Sequence, residues 1–162
     1  MKKYLFFFVF INVFFASCWK TEVDPPQHVN KFTCKVNGVF WEAVPRERDI
    51  LGNDLQMEKS TFFDVFSLRA ANTKKKQSIN LDFAFSDTAK TSPLLFKYAF
   101  SNYGGLCDTY NLDTTVTHTA TVTDHDKIKK IVKGSFTFRA FTSNVSCKDT
   151  VTITDGFFDM HY

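Results

Sequence analysis

The sequence lacks the motifs that mark the common classes of enzyme. It has no Gly-x-Ser-x-Gly nucleophile elbow, no His-Glu-x-x-His zinc motif and no phosphate-binding P-loop. Its carboxylates are numerous enough to include a glycosidase-type pair, but no two of them are singled out by their positions. We therefore predict that the chain is not an enzyme, with no catalytic residue, no metal site and no cofactor.

Helical periodicity is missing as well. Beyond the first 17 residues, no segment of ten residues repeats its apolar side chains at the spacing of an α-helix. The apolar run from Tyr4 to Phe15, interrupted by Asn12, is shorter than the roughly 20 residues that a membrane-spanning helix needs. This run is therefore better explained by export than by membrane spanning.

The first 17 residues have the three parts of a secretory signal peptide. Lys2 and Lys3 precede the apolar run, and the small pair Ala16-Ser17 comes directly before Cys18. A cysteine at this place resembles the lipobox of bacterial lipoproteins, in which the cysteine is lipidated and becomes the mature N-terminus. We predict a signal peptide over 1–17, a lipidated N-terminus and flexible tether over 18–30, and one domain over 31–162.

Removal of residues 1–17 leaves 145 residues and takes away two lysines but no acidic residue. The formal net charge thus falls from +3 to +1. A nearly neutral domain gives no electrostatic basis for binding nucleic acid. We expect no nucleic-acid partner, and we expect a monomer.

Four cysteines are present, and lipidation of Cys18 leaves three. An exported protein can form disulfides, so one bridge and one free thiol is the simplest arrangement. Cys34 lies in a strongly patterned strand, whereas Cys107 and Cys147 lie in loop-like segments. We predict a Cys107–Cys147 disulfide, with Cys34 buried as a small apolar side chain.

The clearest local pattern is KFTCKV-NG-VFWEAV, beginning at Lys31. Asn37-Gly38 between two β-rich runs is a strong signal for a two-residue hairpin, because a type I′ turn needs positive φ at both central residues. Such a loop also sets the strand register. The predicted facing pairs are Val36 with Val39, Cys34 with Trp41, and Phe32 with Ala43.

The remaining alternation predicts further strands over 61–70, 78–86, 96–100, 114–123, 134–141, 150–154 and 157–162. The predicted turns include the lysine-rich 72–77, Asp124-His125-Asp126, and Asp155-Gly156. We therefore predict an all-β domain, a single antiparallel β-sandwich or flattened barrel of about seven to ten strands.

Tyr98, Tyr103 and Tyr110 are the candidate binding residues. They fall in a glycine-containing region that we interpret as a short strand and a long loop, and loops on rigid β scaffolds often carry binding sites. Exposed rings there would stack on sugars or contact proteins. A satellite core under the loop explains these rings as well and is the favoured interpretation. Lys74-Lys75-Lys76 is interpreted as a solvated hairpin tip, with contact to anionic lipid or glycan as the minor alternative.

Three stretches together resemble a known family. They are the lipobox with its short tether, the run Phe32-Thr-Cys-Lys-Val-Asn-Gly38, and the C-terminal pair Gly134-Ser-Phe-Thr-Phe138 and Ile153-Thr-Asp-Gly-Phe-Phe-Asp159. This combination is similar to a family of small uncharacterised lipoproteins from Bacteroidetes-type bacteria. The resemblance implies an envelope lipoprotein, and it supplies no activity and no catalytic residue.

The sequence therefore predicts a lipoprotein anchored to the outer membrane of the cell envelope through lipid at Cys18, facing the periplasm or the surface. Its expected role is that of a non-enzymatic binding or interaction module. The expected partners are the membrane, through the lipid, and a glycan or an envelope protein. The alternatives are a structural envelope component and a carboxylate-dependent hydrolase.

Overall fold

The computed structural model describes residues 28–46, 54–61, 65–84, 91–92, 95–102, 107, 109–142, 144, 146–147 and 149–162. Within these ranges the chain forms eleven strands and no helix. The strands are β1 (Lys31–Val36), β2 (Val39–Glu42), β3 (Leu55–Lys59), β4 (Val65–Asn72), β5 (Gln77–Ala84), β6 (Thr91–Ser92), β7 (Leu95–Asn102), β8 (Thr109–Leu112), β9 (Thr119–Asp126), β10 (Ile131–Thr142) and β11 (Thr150–His161).

The strands pair in the order β2-β1-β11-β10-β8-β7-β5-β4-β3, and β9 joins β10 to the two-residue β6. The 12-residue β10 changes partner along its length: residues 131–137 pair with β9, and residues 140–142 pair with β8. Aromatic rings pack between the layers, with Phe66 of β4 5.1 Å from Tyr162 and Phe83 of β5 5.5 Å from Phe158 of β11 between ring centroids. The result is a sandwich-like all-β fold without a closed barrel, which confirms the predicted fold class.

The first hairpin has the predicted register. Asn37 and Gly38 adopt φ of 50° and 80°, as a type I′ turn requires. Val36 faces Val39, Cys34 faces Trp41, and Ala43 N donates to Phe32 O at 3.0 Å. The hairpin consequently buries Phe32, Cys34 and Trp41 and leaves Phe40 exposed on its other face.

Asp155-Gly156 forms a β-bulge, and the prediction of a hairpin turn there is wrong. Phe136 faces Gly156 but Phe138 faces Ile153, so β11 has one more residue than β10 at this point. Asp155 has φ of 51°. Positive φ suits a tight turn and a bulge equally, so the Asp-Gly pair alone does not show that the chain reverses.

The turn after β9 begins later than predicted. Asp124, His125 and Asp126 belong to β9, and the turn occupies 127–130, with φ of 54° at Lys130. Asp126 Oδ1 accepts hydrogen bonds from the backbone N–H groups of Ile128 (3.0 Å) and Lys129 (2.8 Å). An aspartate that binds the backbone two and three residues ahead starts a turn, and Asp126 therefore ends the strand.

The disulfide joins Cys107 to Cys147, the pair predicted from the sequence, and Cys34 is a free, buried cysteine. Burial raises the pKa of the Cys34 thiol to about 12, and nearby Lys75 opposes part of this rise. At neutral pH Cys34 is thus a neutral thiol that packs with Phe32 and Trp41 in the core.

Candidate functional site

The end of the first hairpin lies against the end of β4. Val44 forms a parallel bridge with Asn72: its N–H donates to Ala71 O at 2.9 Å, and its carbonyl accepts from Thr73 N at 3.1 Å. Because β2 is an edge strand, this bridge connects the first hairpin to the β4–β5 hairpin at a corner of the fold. We refer to the contacts between these two hairpins as the corner.

Asn72 is the central side chain of the corner and is 4 % exposed. Its Nδ2 donates to Glu42 O at 2.9 Å, and its Oδ1 accepts from Lys75 N at 2.8 Å. Lys75 Nζ donates to Phe40 O at 3.1 Å. These bonds satisfy outward-facing carbonyls of the edge strand β2, whose groups would otherwise be open to pairing with another chain.

A cleft of ≈ 340 Å³ opens beside the corner. The charged side chains that line it are three cations and one anion, a formal charge of +2. They are Arg46, Arg69, Lys76 and Asp54, and the other lining residues are Ala71, Asn72, Thr73 and Gln77. Gln77 is held in place because its Oε1 accepts a hydrogen bond from Trp41 Nε1 at 3.0 Å.

Asp54 fixes the position of Arg46. The Asp54 side chain is 7 % exposed, and it accepts bonds from Arg46 Nε (2.9 Å), Nη2 (3.3 Å) and backbone N (3.1 Å). The hydrogen bond from the Arg46 side chain holds the pKa of the Asp54 carboxyl below its ordinary value, although burial partly opposes this and the charge of Arg69 adds a smaller lowering. Asp54 is therefore a carboxylate at neutral pH, and it orients an arginine that remains 65 % exposed.

This arrangement suits recognition of an anionic group. An arginine that a buried carboxylate already holds loses little further conformational freedom when it binds a ligand. Its planar guanidinium matches carboxylate, sulfate or phosphate oxygens. Arg69 and Lys76 supply further positive charge in the same cleft. The volume is at the lower end of the range for small-molecule sites, enough for one sugar unit or a similar group.

The tyrosines proposed as binding residues do not gather in this cleft. Tyr110 lies on β8 and not in the predicted loop, and its hydroxyl donates to Asp149 Oδ2 at 2.9 Å. It is 5 % exposed, so it packs in the core and does not present an exposed ring. The physical reason is that 109–112 is a strand paired with β7 and β10, which turns Tyr110 into the core. Tyr98 faces Leu81 in the backbone register of β7 with β5, and the structure does not describe its side chain. Tyr103 and Cys18 lie outside the described residues.

The rings of His118 and His125 each lie within hydrogen-bond distance of an oxygen atom. His118 Nδ1 lies 3.0 Å from Val116 O. His125 Nε2 lies 2.8 Å from the hydroxyl of Tyr162, and its ring stands edge-on to Phe66 at 5.8 Å. Over the described residues, no three His, Cys, Asp or Glu side chains gather in a way that would hold a metal ion.

Sequence patterns did not reveal the cleft. Of its charged residues, Lys76 alone belongs to a motif that the sequence singles out, the lysine-rich turn. Arg46 and Asp54 come from a segment without periodicity, and Arg69 is a polar position on a patterned strand. They come together through the Val44–Asn72 bridge, a contact between distant segments that no local spacing encodes.

No protein-family model, no curated protein and no solved structure matches this chain. Across the part of the chain that the structure describes, no helix has the length and apolarity needed to cross a membrane. What the protein does is therefore inferred from its own residues.

Proposed function

We propose that this chain is an envelope lipoprotein, anchored to the outer membrane through lipid at Cys18, whose β domain binds an acidic saccharide at the corner cleft. The signal peptide pattern, Cys18 after Ala16-Ser17, and the resemblance to small Bacteroidetes-type lipoproteins support the anchor. The role is that of a non-enzymatic binding module, and the saccharide carries carboxylate or sulfate groups.

The observation that carries the proposal is the charge pattern of the cleft. Three cations line the cleft together with one nearly buried carboxylate, Asp54, which one of them, Arg46, already binds. An acidic group entering the cleft would meet the exposed part of Arg46 together with Arg69 and Lys76. Charge-assisted hydrogen bonds of this kind contribute about 1.5–3 kcal/mol each, and exposed charges are weakened by salt.

A glycan fits the cleft better than an envelope protein does. A specific protein–protein interface buries about 800 Å² on each partner and has an apolar centre with aromatic anchors. The cleft is small, and seven of the eight described residues that line it are polar or charged. One acidic sugar unit would fill it.

The hydrolase alternative requires two carboxylates about 5–10 Å apart in a pocket, one of them with a raised pKa. Asp54 is the one carboxylate among the described residues of this cleft, and its pKa is lowered. A carboxyl that stays ionised in this way is a poor general acid. The cleft therefore favours binding over hydrolysis.

The test is binding of acidic and neutral oligosaccharides to the mature chain 18–162 carrying Cys18→Ser, which removes the lipid. Titration calorimetry is expected to detect binding of uronate-containing or sulfated oligosaccharides and no binding of neutral ones. Arg69→Gln is expected to weaken binding about tenfold or more, since it removes one charge-assisted bond. Arg69 is the better choice than Arg46, because loss of Arg46 would leave Asp54 buried without its main partner.

The matched control is Lys74→Gln, which removes one positive charge from the neighbouring turn but not from the cleft lining. It is expected to bind like the parent chain. Equal weakening by Arg69→Gln and Lys74→Gln would mean that net charge, and not the cleft, accounts for binding. If no acidic oligosaccharide bound, the proposal of an acidic saccharide ligand would be wrong. The anchor is tested separately: labelled palmitate should enter the full-length chain and not its Cys18→Ala variant.

A further inference from the structure

Three parts of the chain meet at one end of the domain. Lys31, the first residue of β1, faces Asp159 of β11, and Asp159 faces Lys133 of β10. Lys133 in turn faces Asp124 of β9, two residues before that strand ends. Lys31 and Asp124 are thus separated by three strand spacings, roughly 14 Å.

The chain that leads into β1 is held at this same end. His28 Nε2 lies 2.9 Å from Asp159 Oδ1, and Asn30 Oδ1 accepts a hydrogen bond from His161 N at 2.8 Å. Tyr162 N donates to Lys130 O at 3.0 Å, which ties the end of the chain to the β9–β10 turn. Residues 28–30 therefore approach the domain beside this turn.

The lipid on Cys18 would keep this end close to the membrane. Cys18 and His28 are ten positions apart in the chain. Even if fully extended, this segment reaches at most about 36 Å. This step depends on the lipid anchor of the proposed function.

The β9–β10 turn has the chemistry of a membrane-surface contact. Its four residues are Lys127, Ile128, Lys129 and Lys130, all exposed, and Ile128 is 94 % exposed. Asp126 stands at its base, where Oδ1 binds backbone N–H groups and Oδ2 lies 3.8 Å from Lys129 Nζ. The turn with Asp126 has a formal charge of +2 and one apolar side chain at its tip, a combination that favours an anionic lipid surface.

We propose that the β9–β10 turn docks on the anionic lipid surface to which the protein is anchored, with Ile128 at the headgroup boundary and the lysines against lipid phosphates. Two signals, the lipid and the turn, would then hold the domain in one orientation. A lipid chain alone leaves the domain free to rotate about its tether, whereas a second contact at the same end fixes which face points away from the membrane.

The chain contains a built-in control for this proposal. The β4–β5 turn, residues 73–76, also has four residues, three of them lysines, with φ of 54° at its last residue Lys76. Asn72 accepts from Lys75 N at 2.8 Å as Asp126 accepts from Lys129 N at 2.8 Å. The two turns thus share their backbone geometry. They differ at the first residue (Thr73 or Lys127), at the second (Lys74 or Ile128), at the residue before the turn (Asn72 or Asp126) and in their place on the domain.

The experiment is co-sedimentation of the mature chain carrying Cys18→Ser with vesicles of phosphatidylcholine alone or mixed equally with phosphatidylglycerol. Binding to the mixed vesicles is expected and should fall with added salt. Lys129→Glu is expected to weaken binding about fivefold or more, and Lys74→Glu, with the same change of charge, to leave it nearly unchanged. Ile128→Ser is expected to weaken binding without altering net charge, and unchanged thermal unfolding of each variant ensures that folded protein is compared.

Equal binding to both vesicle types, or equal loss from Lys74→Glu and Lys129→Glu, would overturn the proposal. Its failure is distinguishable from failure of the anchor. If the full-length chain takes up no palmitate but the Cys18→Ser chain binds vesicles in a manner that depends on Lys129, the anchor is wrong and the turn contact stands. Palmitate labelling without vesicle binding would remove the turn contact alone.

Discussion

The ring of Phe158 on β11 lies over Gly134, the residue that faces it on β10. A Cβ at Gly134 would come within 2.8 Å of Phe158 Cε1. The relationship is reciprocal two residues along each strand, where Phe136 faces Gly156. A Cβ at Gly156 would come within 2.6 Å of Phe136 Cδ2. Each strand thus supplies one glycine and the ring that covers the glycine of the other.

Gly134→Ala tests this packing. The added methyl group meets both the Phe158 ring and the backbone carbonyl of Thr121, so β9 and β11 must both shift to accept it. We expect a loss of about 1–3 kcal/mol in the free energy of unfolding, the usual cost of overfilling a packed core. Urea unfolding measures it, with Ser135→Ala on the exposed face of β10 as the control. Unchanged stability of Gly134→Ala would show that the sheet relaxes without cost.

The same packing explains why two separate C-terminal motifs occur together in this chain. Gly134-Ser-Phe-Thr-Phe138 and Ile153-Thr-Asp-Gly-Phe-Phe158 are aligned by the β10–β11 register, which brings each glycine opposite a phenylalanine. The bulge at Asp155 supplies the extra residue that lets Phe138 face Ile153 after Phe136 has faced Gly156. Each motif is therefore half of one packing unit.

Much of the fold could be predicted because its signals are local. Alternation predicted strands over 61–70 and 78–86, where the structure has β4 and β5, and Asn37-Gly38 specified both a turn and a register. Where one local signal permits two structures, the prediction was wrong. Asp155-Gly156 and Asp124-His125-Asp126 carry turn-forming residues, but the first forms a bulge and the second completes a strand.

The cleft and strand β3 could not be predicted for a different reason. Leu55–Lys59 lies at the edge of the sheet and buries Met57 alone, so its pattern is too weak for a strand signal. Arg46, Asp54 and Arg69 are brought together by the bridge between Val44 and Asn72, whose energy comes from contacts between distant segments. Tyr110 shows the same limit, because β8 is recognisable only from its pairing with β7 and β10.

Asn72 is expected to be the most sensitive polar side chain at the corner. Asn72→Ala removes the donor to Glu42 O and the acceptor for Lys75 N, and it leaves groups of a nearly buried region without partners. We expect a loss of about 1–3 kcal/mol in the free energy of unfolding. Asn111→Ala, at an exposed position of β8, is the control and should change stability by less than about 0.5 kcal/mol. Similar values for both variants would mean that water replaces Asn72 at the corner.

Stability is expected to fall in acid because of Asp54 and Asp113. The hydrogen bond from the Arg46 side chain lowers the pKa of Asp54, and hydrogen bonds from Thr115 and then Arg139 lower the pKa of Asp113. A carboxyl whose folded-state pKa is below its unfolded value contributes its full stabilisation above the unfolded pKa. That contribution begins to fall at about pH 5 and is lost as the pH drops through the folded-state pKa.

The measurement is the free energy of unfolding as a function of pH for the parent chain and for Asp113→Asn. The variant should be less stable at pH 7, because Arg139 loses its ionic partner, and its stability should decline less steeply in acid. Ser135→Ala, at an exposed position of β10 that carries no titratable group, is the control and should keep the parent slope. Parallel curves for the parent and Asp113→Asn would assign the acid sensitivity to other carboxylates.

The Cys107–Cys147 disulfide is expected to be a main source of stability where β8 and β11 begin. It closes a loop with a sequence separation of 40 residues, for which the chain-entropy model gives about 4 kcal/mol. Cys107→Ser/Cys147→Ser should lower the free energy of unfolding by roughly this amount, measured in urea under non-reducing conditions. Tyr110→Phe removes a nearby hydrogen bond to Asp149 and should cost only about 1 kcal/mol, which separates the cross-link from local contacts.

In the folded parent chain a thiol reagent should leave Cys34 unmodified, because the thiol is buried and neutral. Rapid modification of Cys34 without denaturant would contradict its place in the core.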